Sequence, residues 1–317
     1  MKRIRIYFPS LIRRMSLNLF NNLPGIRERF EIIPDNIDPQ LVIYYDKNQI
    51  DNTPKTKYKC KQLLFCLEYT RPNMRVWDYA LQWDYTNDPR RLRFPTYAMY
   101  DILYGREHNI IKPKTYDPEK ILRSKKKFCA FVYYAKQPYR NQFFDILNSY
   151  KPIDSPGKQC NNMQPLDGHK TPHDSRYGYV HITPWVMDNR SFFKDYKFVV
   201  AFEKRINSGY VSEKIYNPMC ADSIPIYLGH ETIRRDFNTK SFVHVLDFFK
   251  NGNAEISTKG AYPKEFNEAA KYIMELDKND RLYCDMLAQP WYNSNVVNEF
   301  ADKNKIAEFF VKIFDSL

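Results

Sequence analysis

Apolar runs of about five residues recur along the chain, bounded by polar or turn residues, and between them lie segments whose apolar positions return with helical spacing. In the first half the runs fall at residues 3–8 (RIRIYF), 41–45 (LVIYY), 63–67 (LLFCL) and 79–83 (YALQW). In the second half they fall at 128–133 (FCAFVY), 198–202 (FVVAF), 224–228 (IPIYL) and 242–246 (FVHVL). Helical period is clearest at 140–150, 210–221, 263–276 and 304–317, and the last segment puts Ile306, Phe309, Phe310 and Ile313 on one face in need of a partner. Short strands alternating with helices predict an α/β protein with parallel sheets.

The stretch 110–127 is basic, contains prolines, shows no periodicity and adjoins a fresh strand, which makes it the candidate linker between two domains. Residues 152–188, rich in Pro, Gly, His and Asn, read as an irregular loop region. No internal repeat or low-complexity tract occurs.

A chain of 317 residues accommodates two ordinary domains, and 43% hydrophobic residues exclude wholesale disorder. The formal charge of +12 implies an anionic partner: nucleic acid, an acidic membrane surface or a phosphorylated small molecule. Much of the excess is clustered at 112–127 and at Arg90, Arg91 and Arg93, where solvated faces are the plain alternative. The six cysteines show no metal-ligand spacing, and Cys66, Cys129 and Cys220 read as core residues of a reduced cytosolic protein. No run approaches 18 apolar residues, so the chain reads as soluble, with any membrane contact peripheral and electrostatic.

Candidate chemistry centres on Val211, Ser212, Glu213 and Lys214. Ser212 suits a helix N-cap, and a helix start with an adjacent Lys214 suits a diphosphate. Glu213 beside an anion is costly unless it accepts from sugar hydroxyls, which assigns it to a ribose diol; an ordinary surface Glu-Lys pair is the other reading. Arg140 opens a helix after the strand at 128–133, where a guanidinium reaches the carboxyl ends of a sheet. Glu68 follows the buried run LLFCL directly and has the place of a general base at a sheet rim, or of a plain loop Glu. No Asp-x-Asp pair occurs, nor any P-loop, dinucleotide or nucleophile-elbow motif.

Taken in order, these segments resemble the α1,3/4-fucosyltransferases of glycosyltransferase family ten, above all the bacterial ones. The signature FVVAFEKRINSGYVSEKIYNPMCADSIPIYLG, continued by DFNTKSFVHVLDF, carries most of the resemblance. FCAFVYYAKQPYRNQFFDILNSYKPIDSPGKQCNN and LLFCLEYTRPNMRVWDYALQWDY with RRLRFPTYAMY add to it, while residues 1–58 match nothing in the pattern. The resemblance implies a GT-B architecture, two Rossmann-like domains facing across a cleft: an acceptor-side domain at 1–122, with the helix at about 303–317 packing back on it, and a GDP-sugar-binding domain at 123–302.

The same resemblance implies inverting transfer of L-fucose from GDP-β-L-fucose to a GlcNAc-containing glycan such as Gal-GlcNAc of a lipopolysaccharide or other surface glycan, without a required metal cofactor. Residue by residue, it implies phosphate-binding roles for Arg140 and Lys214, ribose binding by Glu213 with Tyr210 in the same loop, and a base at Glu68. Two departures stand out. The family's Phe-Glu-Asn is here Phe202-Glu203-Lys204, which brings Lys204 to the donor, and its Gly-Glu-Asn is Leu67-Glu68-Tyr69. A different nucleotide-sugar donor, a non-catalytic sugar-binding relative and, more remotely, a nucleic-acid-binding protein are the competing readings. The family expectation for a chain of this kind is a cytoplasmic enzyme, peripheral on the inner face of the membrane.

Overall fold

The computed structural model describes residues 1–9, 13–45, 58–66, 71–103, 110–166, 189–252, 256–257 and 259–317. Two compact units divide it: one takes the described residues of 1–107 and 297–317, the other those of 108–173 and 182–296.

In the first unit six parallel strands form one sheet. β1 (Lys2–Tyr7) lies between β2 (Phe30–Pro34) and β3 (Leu41–Tyr45), and β4 (Lys61–Phe65), β5 (Tyr79–Gln82) and β6 (Arg91–Arg93) continue the order β2-β1-β3-β4-β5-β6. The alternation in KRIRIY buries Ile4 and Ile6 completely and leaves Arg5 to reach Asp38 at 2.8 Å. β2 and β6 have no run of apolar residues long enough to stand out. Pro34 ends β2 at the sheet edge, where a missing N–H costs no ladder bond.

The C-terminal helix Lys303–Ser316 belongs to this unit. Asp302 caps it, accepting from the Asn304 N–H at 2.8 Å, and its apolar face buries Ile306, Phe309, Phe310 and Ile313 as the spacing predicts. Phe310 meets Phe20 edge-on at 5.0 Å between ring centroids, Phe314 meets Phe30 at 5.2 Å, and Lys2 Nζ donates to the Phe314 carbonyl at 2.8 Å.

In the second unit five parallel strands run in the order β11-β10-β9-β7-β8, formed by β7 (Lys127–Ala130), β8 (Ile153–Asp154), β9 (Tyr196–Phe202), β10 (Ile224–Leu228) and β11 (Val243–His244). β9 and β10 are buried almost throughout, as strands covered on both faces must be. Pro225 sits inside β10 without breaking it. Leu228 bonds to the β9 side through the Glu203 N–H, so by alternation Pro225 faces the β11 side, where pairing starts only at Ile226.

One expectation needs correction, and one open alternative is narrowed. The stretch 110–127 is no bare linker: it carries a helix at Pro118–Ser124, capped by Asp117, and lies within the second unit. That helix buries none of its residues, so it has no apolar stripe to read. Nor are the basic clusters simply solvated. Arg93 is 4% exposed, with its guanidinium carbon 4.3 Å from the Tyr85 ring centroid and 4.2 Å from that of Phe300. Lys112 is buried too, donates to the Gln289 carbonyl at 2.6 Å and lies 3.8 Å from the Trp291 ring centroid. Burial pushes its ammonium down to about 7, against a smaller upward pull from Asp222. Among the cysteines, Cys66 and Cys129 are buried, whereas Cys220 is half-buried.

Candidate functional site

The carboxyl end of β9 organises the site. Phe202 closes the strand, and the next residue, Glu203, donates its N–H to the Leu228 carbonyl at 2.8 Å and accepts the Tyr139 hydroxyl on its own carbonyl. The Glu203 side chain is fully buried. Its Oε1 accepts from the Ser212 N–H and its Oε2 from the Ser212 hydroxyl, both at 2.7 Å. Ser212 is the N-cap of the helix Glu213–Cys220, as its residue type and position predict.

Lys214 lies in the first turn of that helix. Its Nζ donates to Ser212 Oγ at 3.1 Å and stands 3.6 Å from Glu213 Oε1 and 3.9 Å from Glu203 Oε2. Glu213 itself is 9% exposed, so the pair is no free surface pair. Burial raises the Glu203 carboxyl above its ordinary value; the Lys214 charge and the two Ser212 hydrogen bonds oppose the rise, and Glu213 adds to it.

Arg140 approaches the same strand end from the helix Pro138–Asn148. Its Nη2 donates to the Phe202 carbonyl at 2.8 Å, and its guanidinium carbon lies 4.2 Å from the Tyr133 ring centroid. Tyr133 is fixed in turn by a donated bond to the Val200 carbonyl at 3.0 Å and an accepted one from the Phe202 N–H at 2.6 Å. Tyr139 stacks on Phe202, and burial pushes its phenol up to about 12 against the nearby Arg140 charge. Arg140 is 2% exposed, and its Nε has no hydrogen-bond partner among the described residues. The guanidinium thus brings its charge to the strand end, with Nε enclosed and unanswered among the described residues.

The loop between β9 and the Lys214 helix turns at Gly209, whose φ of 82° is left-handed and suits glycine. Its N–H donates to Thr232 Oγ1 at 3.0 Å, and Tyr210 follows it into the interior. Lys204 is half-buried at the start of this loop. Arg140, Lys204, Tyr210, Glu213 and Lys214 therefore belong to two helix starts and one loop around a single strand end, whereas Glu68 lies outside the described residues. Glu203, Ser212, Tyr133 and Tyr139 complete the arrangement, and only Ser212 was legible, as a cap. No group of three or more His, Cys, Asp or Glu that could hold a metal ion occurs among the described residues. No helix among them is long and apolar enough to cross a membrane.

Two parallel Rossmann-like sheets, one of them bearing paired cations at a central strand's carboxyl end, define a GT-B-like protein. The chain belongs to glycosyltransferase family 10: residues 122–311 match the description "Glycosyltransferase family 10 (fucosyltransferase) C-term". Residues 12–100 match "Alpha-(1,3)-fucosyltransferase FucT N-terminal domain", so most of the stretch 1–58 does have a counterpart, contrary to the sequence reading.

The chain is 29% identical over 290 residues to the alpha-(1,3)-fucosyltransferase FucT of Helicobacter pylori, covering 81% of this chain and 53% of that protein. It is 30% identical over 222 residues to a putative fucosyltransferase of Acanthamoeba polyphaga mimivirus, covering 69% and 32%. The chain thus spans between about a third and about half of the length of these two relatives. Among solved structures it is similar to an alpha1,3-fucosyltransferase with GDP-fucose, with a TM-score of 0.69 and 25% identity over 99% of this chain and 91% of that one.

Proposed function

We propose that the protein transfers L-fucose from GDP-β-L-fucose to a hydroxyl of a GlcNAc-containing glycan, in α1,3 or α1,4 linkage, with inversion at the anomeric carbon. The observation that carries this reading is the pairing of Arg140 and Lys214 at the end of β9, within the stretch that matches the family. Both cations are held by the strand end, one through the Phe202 carbonyl and one through the Ser212–Glu203 couple.

In the reaction proposed, negative charge grows on the diphosphate as the fucosyl C–O bond breaks. Arg140 offers its guanidinium charge and Lys214 an ammonium, and interactions that strengthen with that charge speed the step. Glu213, buried at the helix start, accepts from the ribose hydroxyls, and Tyr210 lines the same loop. Glu68 takes the proton of the acceptor hydroxyl. The two cations replace a metal ion as the neutralising charge, so transfer is expected to persist in EDTA, with any effect of magnesium a non-essential stimulation.

The test is calorimetry with GDP and GDP-fucose, followed by transfer assays on an array containing Gal-GlcNAc units. No nucleotide binding would overturn the donor reading. Lys204 favours one second reading, since it stands where the resembling family has an amide: a different sugar on the nucleotide. A panel of GDP- and UDP-sugars decides it by which donor is consumed. For localisation, the proposal is a protein on the cytoplasmic side that touches anionic lipid through its basic surface. Co-sedimentation with anionic but not neutral vesicles tests that. The aromatic side chains go largely into the two cores, with Tyr134 and Tyr272 the exposed ones among the described residues, which disfavours a stacking surface for nucleic acid.

A further inference from the structure

Glu203 presents an electrostatic problem that the donor reading does not resolve. One ammonium, Lys214 Nζ, is shared by two carboxylates, at 3.6 Å from Glu213 and 3.9 Å from Glu203. Glu213 keeps 11% of its side chain exposed, but Glu203 keeps none, and Lys214 and the two Ser212 hydrogen bonds stabilise its charge. From the Arg140 helix, Tyr139 donates to the Glu203 backbone carbonyl, and Arg140 spends its Nη2 on Phe202. Tyr133, beyond β7, is held neutral by burial, and Lys204 and Arg205 follow on the loop, half-buried and exposed.

We propose that Glu203 takes up a proton from solvent when a nucleoside diphosphate sugar occupies the site, because the Lys214 ammonium then turns from this carboxylate to the phosphate oxygens. The inference rests on the donor reading above. Without Lys214 the fully buried carboxylate faces Glu213 and an incoming anion, and the neutral acid becomes the cheaper form. Oε1 keeps the Ser212 N–H. The new Oε2–H donates to Ser212 Oγ across the contact that Ser212 now donates through, and the Ser212 hydrogen is released to point toward the ligand. Glu203 is thus a positioning residue that reverses the polarity of the Ser212 hydroxyl as Lys214 changes partner.

Linkage fixes the sign: a site that gains a proton on binding loses affinity as pH rises, by up to about tenfold per pH unit for one whole proton. The experiment is calorimetric titration of the full chain with GDP-fucose between pH 6 and 9, in buffers of different ionisation enthalpy. GDP-fucose is the probe because its diphosphate is a diester with no proton to exchange in that range. The expected result is net proton uptake approaching one per nucleotide somewhere in this range, with affinity falling as pH rises.

In Glu203→Gln the amide cannot accept the proton, so uptake disappears and the affinity profile flattens. The wild-type titration stands on its own should that variant not fold. Binding without net uptake at any pH, or Glu203→Gln retaining the wild-type uptake, overturns the proposal and leaves the donor reading intact. Absence of GDP-fucose binding overturns both.

Discussion

The Arg140 guanidinium donates to the carbonyl of Phe202 at 2.8 Å, which ties a helix start to the last residue of the central strand β9. The bond fixes one N–H and the Tyr133 ring covers the guanidinium, leaving Nε without a partner among the described residues. Orientation, beyond charge, is what this residue contributes.

Arg140→Lys keeps the charge but loses the fork and the ring contact, so it is expected to fail nearly as badly as Arg140→Ala. Both should lower fucose transfer by about a hundredfold, the usual scale for removing one preorganised donor from a developing oxyanion. Initial rates at saturating GDP-fucose measure this, and a Lys variant with near-normal turnover would remove Arg140 from the donor site.

Gly209→Ala places a side chain at a φ of 82°, at a cost of about 1–2 kcal/mol. The loop relieves that strain by moving, which displaces Tyr210 and the N–H that meets Thr232. A roughly tenfold loss of GDP affinity is expected, with a modest fall in melting temperature. Unchanged affinity would mean that this loop takes no part in binding.

Phe310→Ala removes a ring packed against Phe20, Phe309 and Phe314 in the first unit. Destabilisation of about 3–5 kcal/mol is expected from urea unfolding of that unit. A loss under about 1 kcal/mol would show that the C-terminal helix adds little to this core.

Asp277 gives a prediction with a pH sign. Burial disfavours its charge, but hydrogen bonds from Lys151, Lys197 and Tyr150, with the Lys197 charge, outweigh it and hold the carboxyl below the ordinary range. A depressed folded value contributes stability that is present above the ordinary aspartate value and lost as pH falls through the folded one. Asp277→Asn should cost about 3 kcal/mol at pH 7 by stranding the lysines, and the gap to wild type should narrow as pH falls below the ordinary aspartate range and close as it passes through the lowered folded value. A gap independent of pH would mean that packing, not charge, holds this corner.

Strand runs such as IPIYL and FVVAF could be read directly, because buried parallel strands are apolar on both faces and leave an uninterrupted signal. The short or polar elements could not. β6 contains Arg91 and Arg93, and the helix Pro118–Ser124 has no buried face, so neither shows the period that betrays an element. Arg93 and Lys112 illustrate the same limit for charge: the Phe300 ring for Arg93, and the Trp291 ring and Gln289 carbonyl for Lys112, help make burial of these side chains tolerable, and those groups arrive from distant sequence.

At the site, the sequence by itself determined the helix cap at Ser212, the adjacency of Glu213 and Lys214, and the placing of Arg140 at a helix start. These follow from local hydrogen bonding and from residue spacing, which a linear pattern carries. Tertiary structure alone decided that Glu203 would be sealed beneath Ser212 and Lys214, that Tyr139 would reach its backbone, and that Arg140 would bond Phe202, 62 residues away. The reason is physical: whether a carboxylate is solvated or buried, and which cation answers its charge, depends on neighbours that only the packing of β9 between β7 and β10 brings within reach.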